Sequence, residues 1–147
     1  MIKTLLILVL IALTCLAATA QTNKSETRAV AEVRKVLDEQ VAAWNNGSIT
    51  GFMQGYWNSP ETTFVSGDTV TRGWATVLER YQRRYDSREK MGNLSFEEIT
   101  IQPLDKRSAL ATGRWSLQRA SDNPKGRFTL LLKKTKDGWR IVHDHTS

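Results

Sequence analysis

Cysteine, histidine and proline are scarce in this sequence: one Cys, two His and three Pro among 147 residues. Each scarcity removes a class of chemistry. The lone Cys15 lies in an apolar N-terminal stretch, so the rest of the chain has no disulfide and depends on its core. Both histidines fall in His143-Asp144-His145. Two imidazoles are half a metal site, since zinc takes three or four protein ligands. Local spacing indicates no third ligand, so a hydrogen-bonded role in a strand is favoured and no metal is expected. A phosphate-cradling Gly-rich loop, a GxSxG elbow and an HExxH pair are also missing. Nothing here calls for a cofactor. Beyond Ala20 no apolar run approaches the roughly 20 residues that span a bilayer.

The N-terminus is informative. Lys3 precedes an apolar run from Leu5 to Leu13, and Ala18-Thr19-Ala20 supplies a small-x-small site. This is the pattern of a secretory signal peptide, residues 1–20, cleaved after Ala20. A retained anchor or a lipoprotein is the rival reading, although Thr14 is bulky for the position before a lipidated Cys15. The remaining segment, residues 21–147, fits one domain that is secreted or periplasmic and has no membrane attachment after cleavage. Lys and Arg number 21 against 15 Asp and Glu, a net charge of +6. Such an excess favours anionic partners in principle. The cations are dispersed, however, with Arg80, Arg83, Arg84 and Arg88 on one segment and Lys133, Lys134 and Lys136 on another. A nucleic-acid binder gathers them on one face beside stacking aromatics. A solvated surface is the simpler reading, and no nucleic-acid partner is expected.

Periodicity changes along the chain. Val30, Val33, Leu37, Val41 and Trp44 recur at helical steps, with Asn23 and Glu26 resembling a capping box and Gly47 a stop. Ser48 caps a shorter helix carrying Phe52, Met53, Tyr56 and Trp57. Thr62–Val65 and Thr69–Thr71 flank a Gly67-Asp68 turn as a small hairpin. A third helix from Gly73 buries Trp74, Val77, Leu78, Tyr81 and Tyr85. From Leu94 the period becomes two, giving strands at 95–102, 109–118, 127–134 and 139–146. Short turns imply antiparallel neighbours. Helices first and strands last indicate an α+β domain with a curved sheet wrapped on three helices.

Several residues are candidates for chemistry. On a strand, His143 and His145 point to one face and Asp144 to the other. Arg114 and Arg127 sit within or at the start of apolar strands. They are either outward on a half-exposed sheet or, if both point inward, a grip for a carboxylate or phosphate. Five Trp and three Tyr are many for this size; most are core, while Tyr56 and Tyr81 are candidates to line a pocket.

The order of elements resembles the nuclear transport factor 2-like superfamily, including its SnoaL-like branch. VAAWNNGSITGFMQGYW (41–57) is similar to its first helix, break and second helix, and PETTFVSGDTVTRGWATVLERY (60–81) to its hairpin and third helix. GRFTLLLKKTKDGWRIVHDHTS (126–147) is similar to its closing hairpin, and to the end of the calcium/calmodulin-dependent protein kinase II association domain. The resemblance implies a cone-shaped curved antiparallel sheet, closed on one side by three N-terminal helices, with a pocket at the open end. It also implies a homodimer formed through the sheet. Ketosteroid isomerases of this fold use an Asp base, a Tyr and a protonated Asp. The resemblance puts Ser66 at the base's place, Gln40 near the tyrosine's, and Leu130 or a neighbour near the donor aspartic acid's, and none can do that work. Arg114 best matches a pocket arginine of the kinase association domain.

Two function classes follow. One is an exported binding or assembly module whose cone takes a small organic ligand, anionic ones included, through Tyr56, Tyr81, Arg114, Arg127 and His145. The other is a SnoaL-like lyase, isomerase or hydrolase using His145 or Asp144 as acid–base and Arg114 for charge stabilisation. The first is favoured, because the chain offers no carboxylate pair.

Overall fold

Apolar residues at helical spacing set the first element, α1 (Ile2–Asn45), which buries Val33, Leu37 and Trp44 along one face. The computed structural model describes the backbone of residues 2–147 and the side chains of residues 24–147. The side chains of residues 1–23, including Cys15, lie outside the described residues. α1 runs through Asn23 and Glu26 unbroken, so the capping box expected there does not start it. The Leu- and Ala-rich stretch before it has strong intrinsic helix propensity.

The end of α1 is tied down by several groups. Gly47 adopts φ 79°, which ends the helix. Arg88 donates to the carbonyls of Trp44 (3.0 Å) and Asn45 (3.1 Å), placing a cation at the negative end of the helix. Asn45 grips both backbone groups of Leu94, accepting from its N–H at 2.7 Å and donating to its C=O at 3.0 Å.

α2 (Ile49–Met53) stops short of the expected Trp57. The backbone instead pairs with the last strand: Ile141 N–H donates to Gly55 O and Trp57 N–H to Ile141 O, both at 2.9 Å. This fixes Tyr56 between helix and sheet. β1 (Thr63–Ser66) and β2 (Thr69–Arg72) form the hairpin, followed by α3 (Trp74–Arg84). A one-turn helix, α4 (Arg88–Met91), was not foreseen from the sequence; Ser87 caps it. Four long strands complete the chain: β3 (Asn93–Pro103), β4 (Ser108–Gln118), β5 (Lys125–Thr135) and β6 (Gly138–Thr146).

The six strands form one sheet in the order β2-β1-β6-β5-β4-β3. All neighbours are antiparallel except β1 and β6, which run parallel with Thr63 opposite His143. The expected curved sheet is present, and only the β1–β6 pair departs from its antiparallel pairing. Most of the domain intervenes between the two strands, so no tight turn dictates their direction.

The sheet curves over the helices. Ala109, Ala111 and Leu117 face them from β4, Phe128, Leu130 and Leu132 from β5, and Trp139 and Ile141 from β6. Gly113 lies in the same row; a Cβ there would come within 2.5 Å of the Phe128 ring, so only glycine admits that ring. Two β-bulges bend the strands, one between Glu97 and Thr100 and one where Leu131 and Leu132 face His143 and Ile141. Glu98 at the first has φ 51°.

Glu32, further back along α1, also fastens the helix to the sheet. Its carboxylate accepts from Arg28 at 2.8 Å, and from Lys134 and the Trp139 indole at 2.9 Å each. The Lys134 hydrogen bond, more than any other contact, lowers its pKa to about 2. The stabilisation is therefore complete above the unfolded-state pKa and fades as pH falls toward 2. Glu32→Gln should cost about 1–2 kcal/mol at pH 7, allowing for solvent screening at a partly exposed site. Urea titrations should show the gap between variant and parent narrowing as pH falls from 4.5 toward 2.

Candidate ligand cavity

The concave face of the sheet and helices α1–α3 leave a cavity of about 240 Å³. Its walls are mainly aromatic. Trp44 meets Phe52 at 5.2 Å and Tyr85 at 4.8 Å between ring centroids, both edge to face. Tyr81 joins this set through Phe52 (5.3 Å) and Phe64 (5.5 Å). Phe96 and Phe128, 5.1 Å apart, close the sheet side. Edge-to-face pairs of this kind hold a preformed wall.

One side-chain carboxyl group faces this apolar space. Asp144, 4% exposed, receives the Tyr56 hydroxyl on Oδ2 at 2.5 Å. Its Oδ1 is fully buried and has no hydrogen-bond partner among the described residues. Burial pushes its pKa up to about 6; the Tyr56 hydroxyl on Oδ2, with a smaller influence from the nearby Thr146 side chain, pulls the other way and loses. Tyr56 and Tyr81 are raised well above the usual tyrosine range, chiefly by burial and then by the Asp144 charge. Both therefore stay protonated and act as donors.

Asp144 is inside because of a bulge. Trp139 and Ile141 face the core, and strict alternation would turn His143 and His145 the same way. At the β5–β6 bulge one extra β6 residue intervenes, and Asp144 takes the inward place. His143 instead shares a hydrogen bond with Thr63 (2.6 Å), and His145 is exposed. Among the described residues no three His, Cys, Asp or Glu side chains gather as a metal site.

The candidate residues thus separate. Tyr56 and Tyr81 line the cavity. Arg114, Arg127 and His145 do not, and the expectation that they face the cone is corrected. Arg114 and Arg127 stand opposite each other on the outer face of the sheet, where both reach Glu98 (3.4 and 2.9 Å). Ser66, Gln40 and Leu130 do lie on the cavity wall. Two cations missed in the sequence also line it: Arg80 and Arg84, one helical turn apart on α3. Their signal was adjacency to Val77 and Tyr81 on the helix surface, which a solvated-charge reading passed over.

The Asp144 environment has a measurable signature. A raised carboxyl pKa means the folded state holds a proton that the unfolded state has lost. Stability from this group is present at low pH and lost as pH rises through about 6, by about 3 kcal/mol. Asp144→Asn removes the ionisation. Its stability relative to the parent should rise between pH 4 and 7 by that order, as read from melting temperatures; a flat difference would contradict the burial argument.

Comparison with known proteins agrees with this architecture. A SnoaL-like domain model matches residues 33–147. A protein from Shewanella oneidensis, described as NTF-2 like and of unknown function, is 37% identical with a TM-score of 0.77. That match covers 80% of this chain and 98% of the other. A nuclear transport factor 2-like superfamily protein from Salmonella enterica is 22% identical, TM-score 0.67, over 82% of this chain and 91% of its own. A Xanthomonas campestris protein described as a calcium/calmodulin-dependent protein kinase II association domain is 18% identical, TM-score 0.63, over 79% and 84%. The last two likenesses concern the fold alone. No curated protein matches. On the family model and the Shewanella relative together, the chain belongs to the SnoaL-like domain family, within the nuclear transport factor 2-like superfamily.

Proposed function

We propose that this chain is an exported binding module that takes a small, ring-bearing organic molecule into its cone and works as a homodimer. The unpaired Oδ1 of Asp144 carries the binding reading: a buried acceptor without a donor, in an apolar cavity, is costly unless a ligand completes it. An engineered cavity of about 150 Å³ binds benzene, so about 240 Å³ suits one substituted ring or a fused pair.

The dimer reading rests on the outer face of the sheet. Leu110, Leu131 and Val142 are half-buried on the sheet that carries Arg114 and Arg127, whose charges Glu98 offsets in part. Export rests on the residue pattern of 1–20. A second reading, a lyase, isomerase or hydrolase, retains one member of its expected machinery in the cavity. Asp144 is poised near neutral pH for proton transfer, whereas Arg114 and His145 lie elsewhere.

Two measurements test the module. 2-Naphthol should raise the melting temperature by several degrees at saturating concentration and quench the fluorescence of Trp44 and Trp115, which line the cavity. Ser66→Phe, which narrows the space, should weaken both effects. Absence of any response would end the binding reading. Light scattering should give twice the monomer mass at all practical concentrations, and Leu131→Glu should give the monomer; a stable parental monomer would refute the dimer.

A further inference from the structure

The cavity is polarised from mouth to floor. Asp144 is buried at its inner end, while Arg84 is exposed and Arg80 half-buried at the solvent side. The Arg80 guanidinium lies 5.3 Å over the Phe64 ring and donates to Thr71 at 3.3 Å, which holds it over the opening. Arg84 lies 5.8 Å over the Tyr85 ring. Their neighbour Arg83 is engaged with Glu79, but neither Arg80 nor Arg84 forms an ion pair among the described residues. Two unpaired guanidiniums on one side of a ring-lined cavity, and one orphaned acceptor on the other, set opposite requirements on a single occupant.

Resting on the binding reading above, we propose that the ligand is an aromatic carboxylic acid with a neutral hydrogen-bond donor at its far end, its carboxylate between Arg80 and Arg84 and its donor on Asp144 Oδ1. Guanidinium groups recognise a planar carboxylate through paired N–H donors. A cationic amine would satisfy Asp144 equally well, but it would have to pass and then sit beside two arginines on a chain of net charge +6. A hydroxyl or amide donor meets the same need without that repulsion. The intervening space is walled by Trp44, Phe52, Phe64 and Tyr81, which suits an aromatic body between the two polar ends.

Calorimetry at pH 8 with 6-hydroxy-2-naphthoate, 2-naphthoate and 2-naphthol tests this on the purified protein. The bifunctional compound should bind about tenfold or more tighter than either analogue, since each lacks one charge-assisted contact. In an Arg80→Ala/Arg84→Ala double variant the affinity loss for 6-hydroxy-2-naphthoate should exceed that for 2-naphthol by about tenfold. Asp144→Asn should shrink the preference for 6-hydroxy-2-naphthoate over 2-naphthoate. If 2-naphthol binds but the carboxylate adds nothing, or the arginine variant loses both compounds equally, the acid-head assignment is wrong while the cavity remains a binding site. If none of the three binds the parent protein, this inference and the binding reading fall together.

Discussion

One extra residue in β6 governs the interior. The pleat allows no intermediate positions, so a single inserted residue exchanges the two faces of everything beyond it. Ahead of the bulge, Trp139 and Ile141 pack on the helices; beyond it, Asp144 takes the inward place and the imidazoles go out. A carboxyl group then has to live among aromatic rings. Tyr56 makes this tolerable, and Tyr56 is in place because the backbone around it leaves α2 to pair with Ile141. Helix termination, strand register and the polarity of the cavity are thus coupled through Ile141 and its neighbours.

Much of the architecture was legible in the residues. The stripe of α1, the hairpin, the change of period near Leu94 and the family resemblance all led to the same curved sheet. Arg114 was misplaced although the signal was present: Ala109, Ala111, Trp115 and Leu117 share one parity, and Arg114 has the other. The likeness to a pocket arginine overrode that alternation. His145 is a different kind of error. No glycine or proline marks the bulge near Val142, so strict period two gave the opposite face. Arg80 and Arg84 look in sequence like any exposed cations on a helix; only the packing of α3 beside the sheet opening distinguishes them from Arg83.

The two faces of the sheet consequently carry different chemistry on the same strands. Inward residues of β4 and β5 are small or apolar and shape a hollow. Outward ones bring Arg114 and Arg127 to Glu98, which the bulge in β3 turns toward them from its left-handed backbone position. Substitutions can therefore alter one face with little change to the other, because adjacent positions along a strand belong to separate environments. A shared fold with such separable surfaces serves many functions, and the fold alone does not select among them.

The parallel contact of β1 with β6 also has a consequence for how the chain acquires its form. Thr63 and His143 are 80 residues apart, so the search to join them carries a large loop-closure entropy. Local hairpins between β3, β4, β5 and β6 can zip earlier, at short separation. The hollow is sealed only when β1 finds the final strand, which makes it the last compartment to exclude solvent. A nascent chain whose β6 has not yet been synthesised would hold no cavity.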